Sequence, residues 1–373
     1  MKVYKYTYIH ILWWDDTKFY KSMIELLHSS DKIDVSQHCF VTPYKKVYES
    51  IKEYDNTKLI NLDGLPLLLK CSKYAKWIFC HPLNLTFVRC LLIPKNIANK
   101  IIWRTWGHDI RSYDDIPKDN NIIWLWKRRL FQLYIRKAKE FKCIGIANAV
   151  DKVNVNNVFG HDQKTVILPY GSTKVNILEK IRETETVDEN SNNSIKIFVG
   201  HNGNAADRHI NILKTLSRFS DQNISVIVDL INGSDPEYVK NVKTYAADIF
   251  GNKAVFLNDF MPFEDFSRVI YSCKICVLDN IYSNGLGTLG IMAYFHKKIY
   301  FNKEGNISQA LRLAGVKPNY TDEIQIMEFS SFVSDDCENR LEDIDRLLGA
   351  KSKMQNIGYW EKALRFLGGG VRE

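Results

Sequence analysis

The chain has 373 residues, of which 45% are hydrophobic and 25% charged, as in a globular protein rather than a disordered one. It contains no run of 18 or more apolar residues, so the sequence predicts no transmembrane helix. The net charge is +8, and the eight cysteines are scattered, mostly in apolar runs, which favours buried thiols in a reducing cytoplasm. The lone pair Cys273 and Cys276 lacks the second pair that a zinc site needs.

The first half of the chain alternates apolar runs with helical spacing. Strands are predicted at residues 3–12, 37–42, 58–62, 75–80, 101–106, 143–147 and 165–168, and a helix at residues 17–28. Alternating strands and helices indicate βαβ units and a parallel sheet.

A basic amphipathic helix is predicted at residues 127–142, with Leu130, Tyr134, Ala138 and Phe141 on one face. It follows Trp124 and Trp126 and carries seven basic residues and one acid. Such a helix suits an anionic membrane surface, although a core-packing helix with a solvated basic face has the same pattern. Nucleic acid is not favoured, because no nucleic-acid motif accompanies the charge.

Residues 177–194 are polar and break the pattern, so they are predicted to be a linker. The second half then restarts, with strands at 195–199, 224–230, 254–257, 275–279 and 298–301 and helices at 206–219, 236–250, 263–273 and 286–295. We therefore predict one domain at residues 1–176, the linker at 177–194 and a second domain at 195–350. Residues 351–373 should form a helix that folds back over the first domain, followed by a disordered tail.

A glycine-rich turn joins a predicted strand to a predicted helix at residues 282–293 (YSNGLGTLGIMA). A turn of this kind exposes backbone N–H groups at the positive end of the helix dipole, which favours a phosphate or diphosphate. Tight strand–helix packing explains the same glycines equally well.

Two doubly wound domains that face each other would form a cleft at the carboxyl ends of both sheets. Three loops fall at those ends, at residues 107–109, 200–204 and 284–288. We expect the chemistry of the protein to reside there.

The chain resembles glycosyltransferase family 56, the 4-acetamido-4,6-dideoxygalactose (Fuc4NAc) transferases of enterobacterial common antigen synthesis. The similar pieces are residues 103–109 (WRTWGHD), 199–203 (VGHNG), 209–210 (HI), 285–289 (GLGTL) and 359–365 (YWEKALR). The resemblance implies a GT-B fold of two Rossmann-like domains, a dTDP-sugar donor and an undecaprenyl-diphosphate-linked (polyprenyl) saccharide acceptor. It also implies a place on the inner face of the cytoplasmic membrane.

The chain departs from the family's pattern in its first glycine-rich loop. His201 and Asn204 replace a small residue and an acid, and Arg208 with the Ala205–Ala206 pair is also unlike the family. These differences leave the donor sugar and the acceptor open.

Glycosyl transfer must stabilise the leaving diphosphate, orient the sugar and deprotonate the acceptor hydroxyl. Asp109 is the candidate base and His108 its alternative, although a helix N-cap and a packing contact explain them as well. Gly200 and Gly203 would allow a second backbone approach from across the cleft. The candidate donor-binding residues are Gly200, His201, Asn202, Gly203, Arg208, His209, Asp279, Asn284, Gly285, Gly287 and Thr288.

No D-x-D pattern occurs in a metal-binding context, so we expect transfer without a metal or other cofactor. Two functions from other classes stay open at this point. A GT-B-type nucleotide-sugar epimerase would use the same donor loops without an acceptor. A non-enzymatic membrane-surface protein would explain the basic helix but not the two glycine-rich loops.

Overall fold

The structure is a computed structural model that describes residues 5–106, 109–110, 122–171, 174–185, 194–233, 235–282, 284–334 and 338–368. The chain forms two compact units. The first comprises Met1–Thr173 with Lys351–Glu373, and the second comprises Lys174–Ala350. Each unit contains one parallel sheet, which confirms the predicted α/β class.

The sheet of the first unit has seven strands in the order β3-β2-β1-β4-β5-β6-β7. The strands are β1 (Tyr6–Leu12), β2 (His38–Thr42), β3 (Thr57–Leu59), β4 (Ala75–His81), β5 (Ile101–Arg104), β6 (Cys143–Ile146) and β7 (Thr165–Ile167). Every neighbouring pair is parallel. The strand order reverses between β1 and β4, so the carboxyl ends of these two strands mark a topological switch point.

Seven helices connect these strands: α1 (Lys18–His28), α2 (Lys45–Ile51), α3 (Gly64–Cys71), α4 (Phe87–Leu91), α5 (Lys95–Ala98), α6 (Ile122–Ala138) and α7 (Ala149–Phe159). They cover both faces of the sheet, and a separate hydrophobic core lies on each face. Burial on both faces is the reason why the strands read as nearly continuous apolar runs.

The helix α6 begins and ends earlier than its predicted range of 127–142. Its buried face is formed by Phe131, Tyr134 and Ala138, whereas Leu130 is only half-buried. Phe141 is buried beyond the end of the helix. The periodicity therefore identified the helix, while packing moved its ends and its buried face.

The second unit repeats the design with six parallel strands in the order β10-β9-β8-β11-β12-β13. The strands are β8 (Ile195–Val199), β9 (Ile224–Asp229), β10 (Ala254–Leu257), β11 (Ile275–Leu278), β12 (Lys298–Phe301) and β13 (Asn319–Tyr320). The edge strand β13 was not predicted, because a two-residue strand shows no periodicity. The order here reverses between β8 and β11.

The helices of the second unit are α8 (Val175–Thr184), α9 (His209–Leu216), α10 (Pro236–Phe250), α11 (Phe263–Ser272), α12 (Leu286–Tyr294), α13 (Asn306–Leu313), α14 (Phe329–Val333) and α15 (Glu338–Leu348). The helix α8 occupies the first half of the predicted linker. Leu178 and Ile181, one turn apart, are fully buried, so an apolar stripe orders a segment whose composition is mostly polar. Residues 186–193 of that linker lie outside the described residues.

The C-terminal helix α16 (Lys353–Phe366) belongs to the first unit. Trp360 is fully buried in its core, and its Nε1–H donates to the carbonyl of Pro169 at 2.8 Å. A capping box of Ser352 and Gln355 starts the helix. Residues 369–373, which include most of the predicted tail, lie outside the described residues. Within the described ranges, no helix is both long and apolar enough to cross a membrane.

Candidate functional site

The two glycine-rich loops of the second unit leave neighbouring strands at the centre of its sheet. The strands β8 and β11 pair in parallel, with Val199 beside Val277. Ligands of open parallel sheets bind outside the carboxyl ends of the strands, where the strand order reverses. Both predicted donor loops therefore lie at one edge of one sheet, and the expected approach of Gly200 and Gly203 from across a cleft is replaced by this arrangement.

The loop after β8 surrounds the buried carboxylate of Asp207, which is 1% exposed. Its Oδ2 accepts the backbone N–H groups of His201 and Asn202 at 3.3 and 3.0 Å. Its Oδ1 lies 2.6 Å from His201 Nδ1. Three contacts to one carboxylate hold the loop in a single conformation.

Both ring nitrogens of His201 lie close to polar side chains of the same loop. The Asn202 side-chain oxygen accepts the N–H of Asn204 at 2.9 Å, so its amide nitrogen, 2.9 Å from His201 Nε2, is the donor to the ring. Nδ1, on the other side of the ring, contacts Asp207. His201 is thus a structural link within the loop.

Gly285 connects the second loop to the first. A Cβ at this position would lie 2.4 Å from Cγ of His201, and the backbone φ is +69°. The position therefore excludes other residues for two reasons, since a side chain would clash and the left-handed conformation is strained. The sequence offered tight packing as an alternative explanation of these glycines. Gly285 is indeed tightly packed, and it packs against the other glycine-rich loop.

The loop after β8 is closely packed at two of its glycines, Gly200 and Gly203. A Cβ on Gly200 would lie 2.3 Å from Nε2 of His209, and one on Gly203 would lie 2.6 Å from Cα of Gly233. His209 is fully buried, and its ring nitrogens contact the Tyr238 hydroxyl at 3.1 Å and the Asp229 carbonyl at 3.0 Å. Burial lowers the pKa of His209, so it supplies packing rather than positive charge.

Asp279, which directly follows β11, is the hub of this edge and is 1% exposed. Its Oδ1 accepts hydrogen bonds from Asn302 at 2.9 Å and from Thr321 at 2.7 Å. Its Oδ2 accepts one from Asn211 at 2.6 Å and lies 3.4 Å from Nε of Arg208. These partners join α9 to the ends of β11, β12 and β13, so Asp279 organises the edge and has little capacity left to orient a sugar.

Arg208 is the one residue of the predicted donor set that is both cationic and partly exposed, with 38% of its side chain accessible. It has the left-handed backbone conformation, with φ of 56°, which costs a non-glycine residue about 1 kcal/mol. Strain of this kind concentrates at functional sites. Asp279 holds Nε and leaves the outer part of the guanidinium available to an anion at the sheet edge.

The helix α12 begins at the same edge without a side-chain cap among the described residues. Asn280 holds the preceding turn by donating to the carbonyls of Tyr282 and Asn284 at 2.7 and 3.2 Å. Gly287 is exposed, and a Cβ there would meet no atom within 4 Å. Thr288, one residue further, is half-buried. The first N–H groups of α12 are therefore open to a ligand, with space in front of Gly287.

Asp109, the predicted base, lies after β5 in the first unit and is half-buried. Its two oxygens accept hydrogen bonds from Nε1 of Trp103 and from the backbone N–H of Trp106, both at 2.7 Å. The carboxylate thus holds its own loop against the buried Trp103. His108, the alternative base, lies outside the described residues.

Several residues of the edge were missed by the sequence reasoning. Asp207, Asn211, Asn302 and Thr321 all support the predicted donor residues through the contacts above. Asn302 and Thr321 directly follow strands, and that position is the signal that could have identified them. Among the residues that the structure describes, no group of three or more His, Cys, Asp or Glu side chains is arranged to hold a metal ion.

Comparison with known families gives one match over most of the chain. The model of the 4-alpha-L-fucosyltransferase family, glycosyl transferase group 56, matches residues 44–366. This range includes both glycine-rich loops, Asp109 and the C-terminal helix.

Solved structures share the architecture at low sequence identity. A glycosyltransferase from Rickettsia africae ESF-5 is 11% identical, with a TM-score of 0.61, and the alignment covers 97% of this chain and 98% of that one. Anabaena Alr3699/HepE in complex with UDP is 11% identical, with a TM-score of 0.62 and coverage of 96% and 99%. The N-terminal domain of Candida albicans trehalose-6-phosphate phosphatase is 9% identical, with a TM-score of 0.55 and coverage of 98% and 97%. These similarities confirm the GT-B fold.

Asp229, the last residue of β9, is a third buried carboxylate of the second unit, besides Asp207 and Asp279. It is 1% exposed, and its Oδ1 accepts the N–H of Ile231 at 3.0 Å. Burial raises its pKa from 3.8 to about 6. An acid whose pKa is raised by folding costs stability once it ionises, so this cost grows as the pH rises from 3.8 to 6 and is complete above that range.

We therefore expect Asp229→Asn to stabilise the second unit at pH 8, because the amide keeps the acceptor oxygen and carries no charge. Each pKa unit corresponds to about 1.4 kcal/mol, which gives a gain of about 3 kcal/mol in the free energy of unfolding. The gain should shrink below pH 6 and be small at pH 4. Urea unfolding at both pH values measures it, with Asp248→Asn on the exposed face of α10 as the control. A gain that does not depend on pH would contradict the assignment.

Proposed function

This chain belongs to the 4-alpha-L-fucosyltransferase family, glycosyl transferase group 56, and we propose that it transfers a 4-acetamido-4,6-dideoxyhexose from a dTDP-sugar. The acceptor is a polyprenyl-diphosphate-linked saccharide of bacterial surface polysaccharide synthesis. No metal takes part. The observation that carries the proposal is the start of α12, which has no side-chain cap among the described residues and lies at a switch point that also holds Arg208.

The donor diphosphate occupies the space in front of Gly287. The open N–H groups of α12 donate to its oxygens, and the helix dipole favours its negative charge. Arg208 adds a full positive charge, and a hydrogen bond to a charged group contributes about 1.5–3 kcal/mol. Together these groups stabilise the charge that develops on the leaving diphosphate, which is the role that a divalent metal has in other transferases.

The donor nucleotide is supported in class by the comparison structures, since one of them, Anabaena HepE, is described in complex with UDP-glucose. The choice of dTDP as the donor nucleotide rests on the family resemblance, and a panel of nucleotide sugars tests it.

The acceptor hydroxyl loses its proton to Asp109. Two N–H groups orient this carboxylate, one donating to each oxygen, and the side chain is half-buried rather than enclosed. His108 is the alternative base. A nucleotide-sugar epimerase would form a product that retains the nucleotide, so mass spectrometry of the products separates that function from transfer.

We propose that α6 is the element that contacts the membrane surface. The exposed side of this helix combines three apolar side chains, Leu125, Trp126 and Leu133, with the arginines Arg129 and Arg136. Exposed apolar and basic side chains on one helical face suit the interface of an anionic bilayer. We place the protein in the cytoplasm, at the inner face of the cell membrane, where a lipid-linked acceptor would be presented.

Gly287→Val should abolish donor binding and leave the fold intact, because the new side chain enters the proposed diphosphate site and its Cβ meets no atom of the described residues within 4 Å. We expect the affinity for the dTDP-sugar to fall at least tenfold by calorimetry. Gly358→Val in α16 is the matched control, since a Cβ there also meets no atom within 4 Å. Unchanged affinity, or binding to the parent protein that disappears in EDTA, would refute the site.

Asp109→Asn keeps the shape of the side chain and removes its basicity, but it also replaces one of the two oxygens that accept N–H groups from Trp103 and Trp106 with an NH2 group. We expect turnover to fall by about 10²–10⁴-fold, the usual contribution of a general base, with the donor affinity nearly unchanged. Steady-state kinetics and donor calorimetry measure the two effects. Near-normal turnover would move the role to His108, whereas lower stability without a specific kinetic defect would leave Asp109 with its loop-holding role alone.

Arg129→Glu with Arg136→Glu should release the protein from vesicles that contain phosphatidylglycerol. Each basic residue near an anionic surface contributes about 1 kcal/mol, so the loss of two lowers binding roughly 30-fold. Vesicle co-sedimentation measures this, with Lys240→Glu and Lys317→Glu, both exposed in the second unit, as the matched control. Equal loss in both variants would indicate net charge rather than a docking face.

A further inference from the structure

Four aromatic side chains cluster at the carboxyl edge of the first sheet. We call Trp14, Phe19, Trp106 and Tyr170 the aromatic platform. Trp106 lies at the centre, with ring centroids 6.2 Å from Trp14, 5.6 Å from Phe19 and 5.5 Å from Tyr170. Trp14 and Phe19 are 43% and 45% exposed. Contiguous exposed aromatic side chains of this size mark interaction sites.

The platform lies where a ligand of this fold is expected. Trp14 follows the end of β1, while Trp106 and Tyr170 follow β5 and β7. The strand β1 forms one side of the switch point of this sheet. The carboxyl edge of the second sheet, which carries the proposed donor site, is called the donor edge. None of the platform residues belongs to it, because it lies entirely in the second unit.

The platform is held rigidly from beneath. The Nε1–H of Trp106 donates to the hydroxyl of Tyr170 at 2.5 Å, and that hydroxyl lies 2.9 Å from Nδ1 of His81. The guanidinium of Arg104 packs on the Tyr170 ring, 4.4 Å from its centre. The orientation of Trp106 is thus set by Tyr170 and the groups behind it.

A line of three buried imidazoles extends this support across the sheet. Nε2 of His81 lies 3.1 Å from Nδ1 of His10, and Nε2 of His10 lies 2.9 Å from Nδ1 of His38. All three side chains are fully buried, and burial lowers the pKa of each. Neutral rings in a line must share one donor direction, so a hydroxyl proton of Tyr170 that points at His81 fixes every tautomer behind it.

We propose that the aromatic platform binds the face of a pyranose ring, and that this sugar belongs to the acceptor saccharide. The electron-rich faces of the rings attract the weakly polarised C–H groups of one sugar face. Two carboxylates lie next to Trp14 in the chain: Asp16, whose Oδ1 accepts the backbone N–H of Phe19 at 2.8 Å, and the exposed Asp15, whose Oδ2 lies 3.6 Å from Nζ of Lys46. Carboxylate oxygens are acceptors for sugar hydroxyls. Only the identification of the sugar as the acceptor rests on the proposed transferase function.

Saturation-transfer NMR with N,N′-diacetylchitobiose as the probe tests the platform directly. In the parent protein the ring C–H protons of the probe should receive saturation. Trp14→Ala with Phe19→Ala should raise the Kd at least tenfold. The control is Tyr74→Ala with Phe260→Ala, two exposed aromatic residues outside the platform. No transfer in the parent, or equal transfer in all three proteins, would overturn the proposal, as would a loss of binding to phosphatidylglycerol vesicles without a change in sugar binding.

Tyr170→Phe tests the positioning role, because it removes the hydroxyl between Trp106 and His81 and keeps the ring. We expect a severalfold higher Kd for the sugar probe with an unchanged Kd for the nucleotide sugar. A general loss of structure would weaken both, and an unchanged Kd for the probe would show that the hydroxyl does not position the platform. The NMR measurement requires no turnover, so failure of the platform and failure of donor binding in the second unit are seen separately.

Discussion

One buried carboxylate organises the donor edge of the second unit. Asp279 is almost inaccessible to solvent, and a buried charge left without partners is strongly destabilising, typically by 3–5 kcal/mol. The fold satisfies it with Asn211, Asn302, Thr321 and Arg208. These partners come from two strand ends and a helix start, so one electrostatic requirement places them in a common geometry. The exposed part of Arg208 and the open start of α12 depend on that geometry.

The two glycine-rich loops form one structure rather than two. Gly285 packs against His201, and Asp207 holds His201 from the other side. A change in either loop therefore acts on both, which means that stability and ligand binding are coupled at this edge. His201, in contact with both Gly285 and Asp207, transmits that coupling, while Arg208 and the helix dipole offer positive charge to an anion.

The carboxyl edge of the sheet in the first unit is organised by different side chains. Its switch-point edge is built from aromatic side chains, supported by neutral imidazoles in place of a buried carboxylate. The two edges are therefore chemically distinct, one cationic with free N–H groups and one aromatic. The diphosphate of a donor and the face of a sugar ring place just these different demands on a transferase.

The sequence by itself determined the strands, the two parallel sheets and the two glycine-rich loops. Apolar runs such as residues 275–278 are long enough to be recognised, and glycine at position 285 indicates a turn whatever surrounds it. Family-specific motifs identified the transferase. The linker was only partly foreseen, because two buried side chains, Leu178 and Ile181, order α8 within a mostly polar segment.

Tertiary structure decided which of the predicted site residues are exposed. His209, Gly200 and Gly203 looked like ligand groups in the sequence but are buried, whereas Arg208 and Gly287 are open. Asp207, Asn302 and Thr321 entered the site only through contacts between segments distant in the chain. The same holds for the aromatic platform, whose members are separated by up to 156 residues. Side-chain exposure and long-range partners arise from the packing of strands against one another, and no local pattern in a single sequence records them.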